Sequence, residues 1–253
     1  MPDTQFRIWM DQLNQAEGDR VAVPEWPRLL HLALRQQLEH ETTVDRPYAG
    51  QHILIDRTSR NWKDATVAEK RAVYGLYHEC LQQHESILKV GNDEYLLLSY
   101  EVPNQGNHKG RRADLLGINK DGGLVVFEAK IAGNAYGPVA ALLEGLDYLS
   151  TLSGSANFAR IQEEFPRLIA AIADAGHPIS DKFQNANLSA GARCEVIVLA
   201  TPEYFEQYDS TARGHGWQDL SRLSSIGTHI QFRFARCGVT DSGAYRTDVA
   251  WCH

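Results

Sequence analysis

The chain has 253 residues, 25 Lys+Arg against 32 Asp+Glu, and 43% hydrophobic side chains. That much apolar surface at a modest net charge excludes a disordered chain, and the length suits one large domain or two small ones. No apolar run approaches the roughly 18 residues needed to cross a bilayer, and Met1-Pro2-Asp3-Thr4-Gln5 lacks the basic-then-apolar order of a signal peptide, so a cytoplasmic protein without a membrane partner is expected. Cys80, Cys194, Cys237 and Cys252 form no CxxC pair and are expected to be reduced. A formal charge of -7 argues against nonspecific coating of nucleic acid by the whole surface, while leaving room for a local basic patch.

In chain order, helices are expected over Gln5 to Gln15 and Trp26 to Glu39, then a turn at Pro47-Tyr48-Ala49-Gly50 and a short apolar stretch, Ile53-Leu54-Ile55. Thr66 and Glu69 match a capping box, and Val73, Leu76, Tyr77, Cys80, Leu81, Ile87 and Leu88 recur at helical spacing behind it. Glu94 to Val102 has the residues and length of a strand. Past a polar loop, Arg112 to Ile118 and Leu124 to Ile131 flank Asn119-Lys120-Asp121-Gly122-Gly123, a hairpin signal, and should pair antiparallel. Pro138 suits the first turn of a helix whose stripe is Val139, Leu142, Leu143, Leu146, Leu149 and Leu152. Phe158 to Ala175 reads as a helix broken or kinked by Pro166. Cys194 to Ala200 and Thr228 to Arg236 read as strands. The order suggests a mixed sheet covered by helices.

Three ionisable residues interrupt the two apolar hairpin strands. Side chains two apart on a strand share a face, so Glu128 and Lys130 point together, away from Phe127, Ala129 and Ile131. If the hairpin is symmetric about Asp121, opposed residues have numbers that sum to 242 and Asp114 faces Glu128. A two-residue loop would shift the register and turn Asp114 to the other face; a three- or five-residue loop is expected. Opposed carboxylates on a buried face repel and lose hydration. Lys130 relieves this in part, and a hard divalent cation does so better. An acid pair beside an ammonium therefore suits metal-assisted phosphodiester hydrolysis, with Lys130 orienting the nucleophile or stabilising developing negative charge.

Asp114, thirteen intervening residues, and Glu128-Ala129-Lys130, carried on a hairpin behind a helix and a strand, resemble the PD-(D/E)XK nuclease superfamily. The likeness covers roughly residues 65–236. It implies an α/β restriction-endonuclease-like mixed sheet flanked by helices, with an α-β-β-β-α-β core, in a nuclease-like domain 65–253 behind a mainly helical N-terminal extension, 1–64. The family's activity is that of a Mg²⁺- or Mn²⁺-dependent endo- or exodeoxyribonuclease, implying a DNA-binding hydrolase of bacterial defence or DNA processing. DNA is the implied partner, with RNA left open and a homodimer compatible with the pattern. By residue, the likeness makes Asp114 and Glu128 metal ligands and Lys130 the catalytic lysine, with the Ala129 carbonyl completing the metal shell. Many relatives add an acid from the first helix, for which Glu79 is the first candidate and Glu85 the second. Ala113 stands where the motif's name has Pro. Glu144, with Asp147 and Tyr148 close by, lies where some relatives carry Gln, and is not counted as a site residue.

His108-Lys109-Gly110-Arg111-Arg112 is the densest basic cluster, and Lys109, Arg111 and Arg112 are the expected nucleic-acid contacts. Lys63, Arg57 and Arg60 could extend it. His78-Glu79 with His84 does not form a zinc-peptidase helix, since His84 lies about 240° round from His78. No GxGxxG, Walker A or GxSxG string is present. A noncatalytic nucleic-acid or protein-binding module that keeps the fold is the alternative reading.

Overall fold

The computed structural model describes residues 47–103, 112–184, 187–209, 216–221, 225–226 and 230–252. The helices expected at 5–15 and 26–39 lie outside them. After a single 3-10 turn, Trp62–Asp64, come α1 (Ala68–Gln83), β1 (Ile87–Val90), β2 (Asp93–Pro103), β3 (Arg112–Asn119), β4 (Leu124–Lys130), α2 (Pro138–Leu152), α3 (Ser155–Asp174), α4 (Asp181–Gln184), β5 (Cys194–Ala200), α5 (Pro202–Asp209), α6 (Trp217–Ser221), β6 (Ser225–Ile226), β7 (Ile230–Arg236) and β8 (Ala250–Trp251). No helix among these residues is long and apolar enough to cross a membrane.

The strands form one mixed sheet in the order β1-β2-β3-β4-β5-β7-β6, with β8 added on β7. The first four strands run antiparallel to their neighbours, and β4-β5 and β5-β7 are parallel. Every residue of β4 is buried, because neighbouring strands take its edges and helices or other strands cover its faces. α1 packs across β1 to β4, and α2 lies over β4 and β5.

Three expectations change. α1 begins after Val67, which caps it without any side-chain bond, so Thr66 and Glu69 form no capping box. Ile87 and Leu88 belong to β1: the helix stops at Gln83, and Glu85 and Ser86, at φ 54° and 64°, turn the chain back before the apolar spacing can continue. α3 runs as one helix through Pro166, so of the two forms expected there the two-piece one is not formed; Pro166 and Gln162, whose carbonyl loses its amide partner to the proline, are both exposed residues.

The described end of the N-terminal segment shares the core. Ile53 and Leu54 are fully buried in it. Their amides donate to Glu164 Oε2 at 2.9 and 2.7 Å, and Arg160 donates to the carbonyls of Tyr48 and Gly50 at 2.9 and 2.6 Å. Residues 47–55 are therefore fastened along α3.

Candidate active site

The site begins with the β3-β4 hairpin. Its loop is Lys120-Asp121-Gly122, closed by Asn119 N–H to the Gly123 carbonyl and Gly122 N–H to the Asn119 carbonyl, both 3.0 Å. Gly122 at φ 82° supplies the left-handed residue that a three-residue hairpin needs, and Asn119 Oδ1 accepts the amides of Asp121 and Gly123. The pairs Ile118–Leu124, Gly117–Val125, Leu116–Val126 and Leu115–Phe127 follow, which is the register expected from symmetry about Asp121.

The ladder stops at Leu115–Phe127. Continued, it would make Ala113 and Ala129 a hydrogen-bonded pair, since such pairs alternate along antiparallel strands. Instead the Ala129 amide donates to Asp114 Oδ2 at 2.9 Å. The strands part there, and the Asp114 side chain replaces a backbone acceptor. Lys130 Nζ donates to Glu128 Oε1 and lies 3.5 Å from Glu144 Oε2, whose other oxygen accepts the Tyr148 hydroxyl at 3.0 Å. The Lys130 carbonyl is held by the Tyr245 hydroxyl at 2.7 Å and the Thr201 amide at 3.2 Å, which anchors the end of β4. α2 brings Glu144 this close because Gly145 has no side chain: a Cβ there would sit 2.5 Å from Val196 Cγ1 on β5.

These groups open on a cleft of about 470 Å³, lined by Asp114, Glu128, Lys130, Glu144 and Tyr148, with Glu69, Lys70, Glu101 and Arg112 completing its wall. Burial, helped by the charges of Glu69 and Glu144, pushes the Asp114 carboxyl up to about 6 against the pull of Lys130. Burial and the neighbouring Asp114 and Glu144 raise Glu128 further above the carboxylate range. Burial opposes the charge of Lys130, but the surrounding carboxylates, Glu128 first, outweigh it and hold the ammonium protonated. One lysine cannot neutralise three carboxyls: Asp114 and Glu128 bind protons more tightly than free carboxylates, whereas Glu144, despite its burial, is held below the usual range by the charge of Lys130 and by hydrogen bonds with Glu128 and Tyr148.

The three expected catalytic residues thus meet in one cleft, with Ala129 between them. Arg112 reaches the rim, whereas Lys109 and Arg111 lie outside the described residues. Glu79 does not join Asp114 and Glu128. It is ten residues beyond Glu69 on α1, about 15 Å along the axis, and it neighbours Cys80 and Cys237 instead. The acid that α1 contributes is Glu69, whose Oε2 accepts from Asn134 Nδ2 at 2.8 Å. Glu85 also lies away from the cleft, and Tyr136, 47% exposed, is not part of its lining. Glu144 and Tyr148 enter the site although the sequence reading left Glu144 out. Their i,i+4 spacing on α2 was the available signal. Glu101 gave none: it lies opposite Asp114 only through the β2-β3 register, bracketed by Tyr100–Leu115 and Val102–Ala113.

The donor set suits a hard divalent cation. Glu128 Oε2 is buried with no donor bonded to it, next to a second desolvated carboxyl and beside Glu144, to which the Glu128 side chain is hydrogen-bonded. Among the described residues no three His, Cys, Asp or Glu side chains converge as a metal-holding group. A cation here would draw on Asp114, Glu128, the Ala129 carbonyl and oxygens from water or substrate, the mixture Mg²⁺ commonly takes. Comparison with family models, curated proteins and solved structures returned no match for this chain.

Proposed function

We propose that the protein is a Mg²⁺- or Mn²⁺-dependent nuclease of restriction-endonuclease-like fold that hydrolyses DNA phosphodiester bonds. The reading is carried by the convergence of Asp114, Glu128 and Lys130 on one cleft. With β1, α3 and α4 set aside as additions, the elements α1, β2, β3, β4, α2, β5 come in the helix, three strands, helix, strand order of that fold. A bound divalent ion would supply charge neutralisation and an activated water. The chain's own residues do the rest. The Ala129 amide fixes the Asp114 carboxylate; Glu144, steadied by Tyr148, and Glu128 aim the Lys130 ammonium into the cleft, where it can stabilise charge on a phosphoryl oxygen. Lys130 is buried, which limits the water that reaches it.

A noncatalytic binding module is the second reading, favoured by one observation: Lys130 is already hydrogen-bonded to Glu128. Cleavage of supercoiled plasmid, linear duplex and single-stranded DNA, each with Mg²⁺ or Mn²⁺, separates the two. Metal-dependent cutting that disappears with Lys130→Ala supports the nuclease. Cutting that survives the substitution removes the site assignment, and retained binding without cutting leaves the module.

A further inference from the structure

Beside the cleft, four cations gather round one carboxylate. Arg60 Nη1 lies 3.5 Å and Arg112 Nη1 3.8 Å from Glu101 Oε2, and Lys70 donates to its other oxygen. Arg57 is close enough to feel the charges of Arg60, Glu101 and Arg112, and it lies over the ring of Tyr100, 5.3 Å from the centroid. Tyr100 stacks on Tyr74 at 4.1 Å, and Arg60 covers Tyr74 at 5.2 Å.

Three features of this cluster are unfavourable for the isolated fold. Four positive charges repel around a single negative one, while half-exposed pairs such as Arg60–Glu101 return little stability. Arg57 Nε and Nη2 are buried without a hydrogen-bond partner among the described residues, which costs their desolvation. Glu101 takes φ 48°, a left-handed conformation that side-chain-bearing residues adopt at some cost and that tends to persist at functional positions. Placed next to a catalytic cleft, these costs have a common explanation if the cations serve an anion other than Glu101.

We infer that Arg57, Arg60, Lys70 and Arg112 form a phosphate subsite at the rim of the cleft, which Glu101 fills in the free protein and a backbone phosphate of the substrate takes over. The phosphodiester part of this inference rests on the proposed nuclease function; the anion site itself does not. Glu101 falls opposite Asp114 in the β2-β3 register, and Glu128 lies one strand further, just past the last β3-β4 pair, so the subsite lies about two strand spacings, roughly 10 Å, from Glu128. About three nucleotides, at about 3.4 Å of rise each, cover that distance. Glu101 then acts as an internal competitor. An anion gains the site only by matching its contacts with Lys70 and the arginines, and the multiply charged backbone of a nucleic acid does so where an isolated weak anion does not. Burial works against ionisation of Glu101, yet hydrogen bonds from Lys70 and Tyr74 and the charges of Lys70 and Arg112 hold its carboxyl below the usual range, so it competes as the anion.

The test is equilibrium binding of the full chain to a fluorescein-labelled 20-nucleotide DNA, single-stranded and duplex, in EDTA and over a range of salt. Glu101→Gln keeps the shape and removes the charge. It should tighten binding about three- to tenfold at 0.1 M salt and steepen the dependence of log K on log salt by about 0.9. Arg60→Ala and Lys70→Ala should weaken binding and flatten that slope by a similar amount. No DNA binding by the wild type, or Glu101→Gln binding no tighter while melting as the wild type does, overturns the inference. If Glu101→Gln fails to fold, wild-type affinity in both Arg60→Ala and Lys70→Ala overturns it instead. Metal-dependent cutting with these binding results unchanged from wild type would sink the subsite and leave the nuclease. The expected binding shifts without any cutting would keep the anion site and sink the nuclease.

Discussion

Asp114 Oδ2 accepts the Ala129 amide at 2.9 Å, where a continuing ladder would have used a backbone carbonyl. This bond ties the first carboxylate of the candidate site to the backbone between Glu128 and Lys130. It also helps Asp114 to ionise, but burial prevails and the carboxyl is pushed up to about 6. The folded value exceeds the unfolded one, near 4, so protonation of Asp114 favours the fold. That contribution is full below about pH 4 and is lost as pH rises through about 6. The metal-free protein should therefore lose stability between pH 4 and 7, and Glu128, raised in the same direction, adds to the loss. Asp114→Asn should be more stable than wild type at pH 7 by about 2–3 kcal/mol and should flatten the profile. Urea melts at a series of pH values check this; parallel profiles for the two proteins would contradict it. Mn²⁺ should raise the wild-type melting temperature and leave that of Asp114→Asn unmoved.

Lys130 holds the opposite charge in the same cluster. Lys130→Met removes the ammonium and keeps much of the volume, leaving Glu128 and Glu144 facing each other. Breaking a buried pair in this way costs about 3–5 kcal/mol when the remaining charge cannot be relieved. Here Glu128 can take a proton, so the loss should be smaller at low pH and grow as pH rises. Cleavage should fall by at least about 100-fold, the scale of removing one transition-state donor. A loss of stability independent of pH would mean that Lys130 acts mainly through packing.

The site was legible where it followed from strand periodicity and turn chemistry. Alternation placed Glu128 with Lys130, and the Asp-Gly loop placed Asp114 across from them. It was not legible where helices and distant strands meet. Glu69 looked like a cap because Thr66 stood three residues before it, yet Val67 caps α1 and the carboxylate turns to Asn134. Ile87 and Leu88 continued the apolar spacing of α1 by coincidence, and only the two left-handed residues before them end the helix. Glu101 reaches the cleft through a strand register that no local pattern encodes. Pro166 left two forms open, a broken helix or a kinked one, and the chain forms a single helix because a proline on the solvent side of a long helix need not break it.

Gly145 offers a prediction whose sign is informative. On an exposed helix, Gly→Ala stabilises by about 1 kcal/mol. At position 145 the new methyl would meet Val196 Cγ1 at 2.5 Å and Glu128 Cβ at 3.6 Å, and β5 cannot retreat because it is paired on both edges. Gly145→Ala should destabilise by about 1–3 kcal/mol, push α2 outward and withdraw Glu144 from Lys130. Adding Val196→Ala should restore much of the stability, and a double-mutant cycle in denaturant measures the coupling. A stabilising single substitution would show that α2 has room to spare over the sheet.

Glu164 tests how the N-terminal segment is attached. It is 8% exposed, accepts the amides of Ile53 and Leu54, and receives Arg160 at 3.1 Å. Glu164→Leu matches the bulk but leaves two buried amides and Arg160 Nε without their acceptor, while the other guanidinium nitrogens keep the Tyr48 and Gly50 carbonyls, each unsatisfied donor costing about 1–3 kcal/mol. The chain can recover part of this by releasing residues 47–55 into water, at the expense of uncovering the apolar surface beneath Ile53 and Leu54. Local opening should therefore precede global unfolding. The expected result is rapid amide exchange at Ile53 and Leu54 and early proteolysis within 47–60, while β4 and β5 stay protected. Uniform loss of protection across the sheet would mean instead that this segment unfolds only with the whole core, and that the fastening to α3 is part of its cooperative unit.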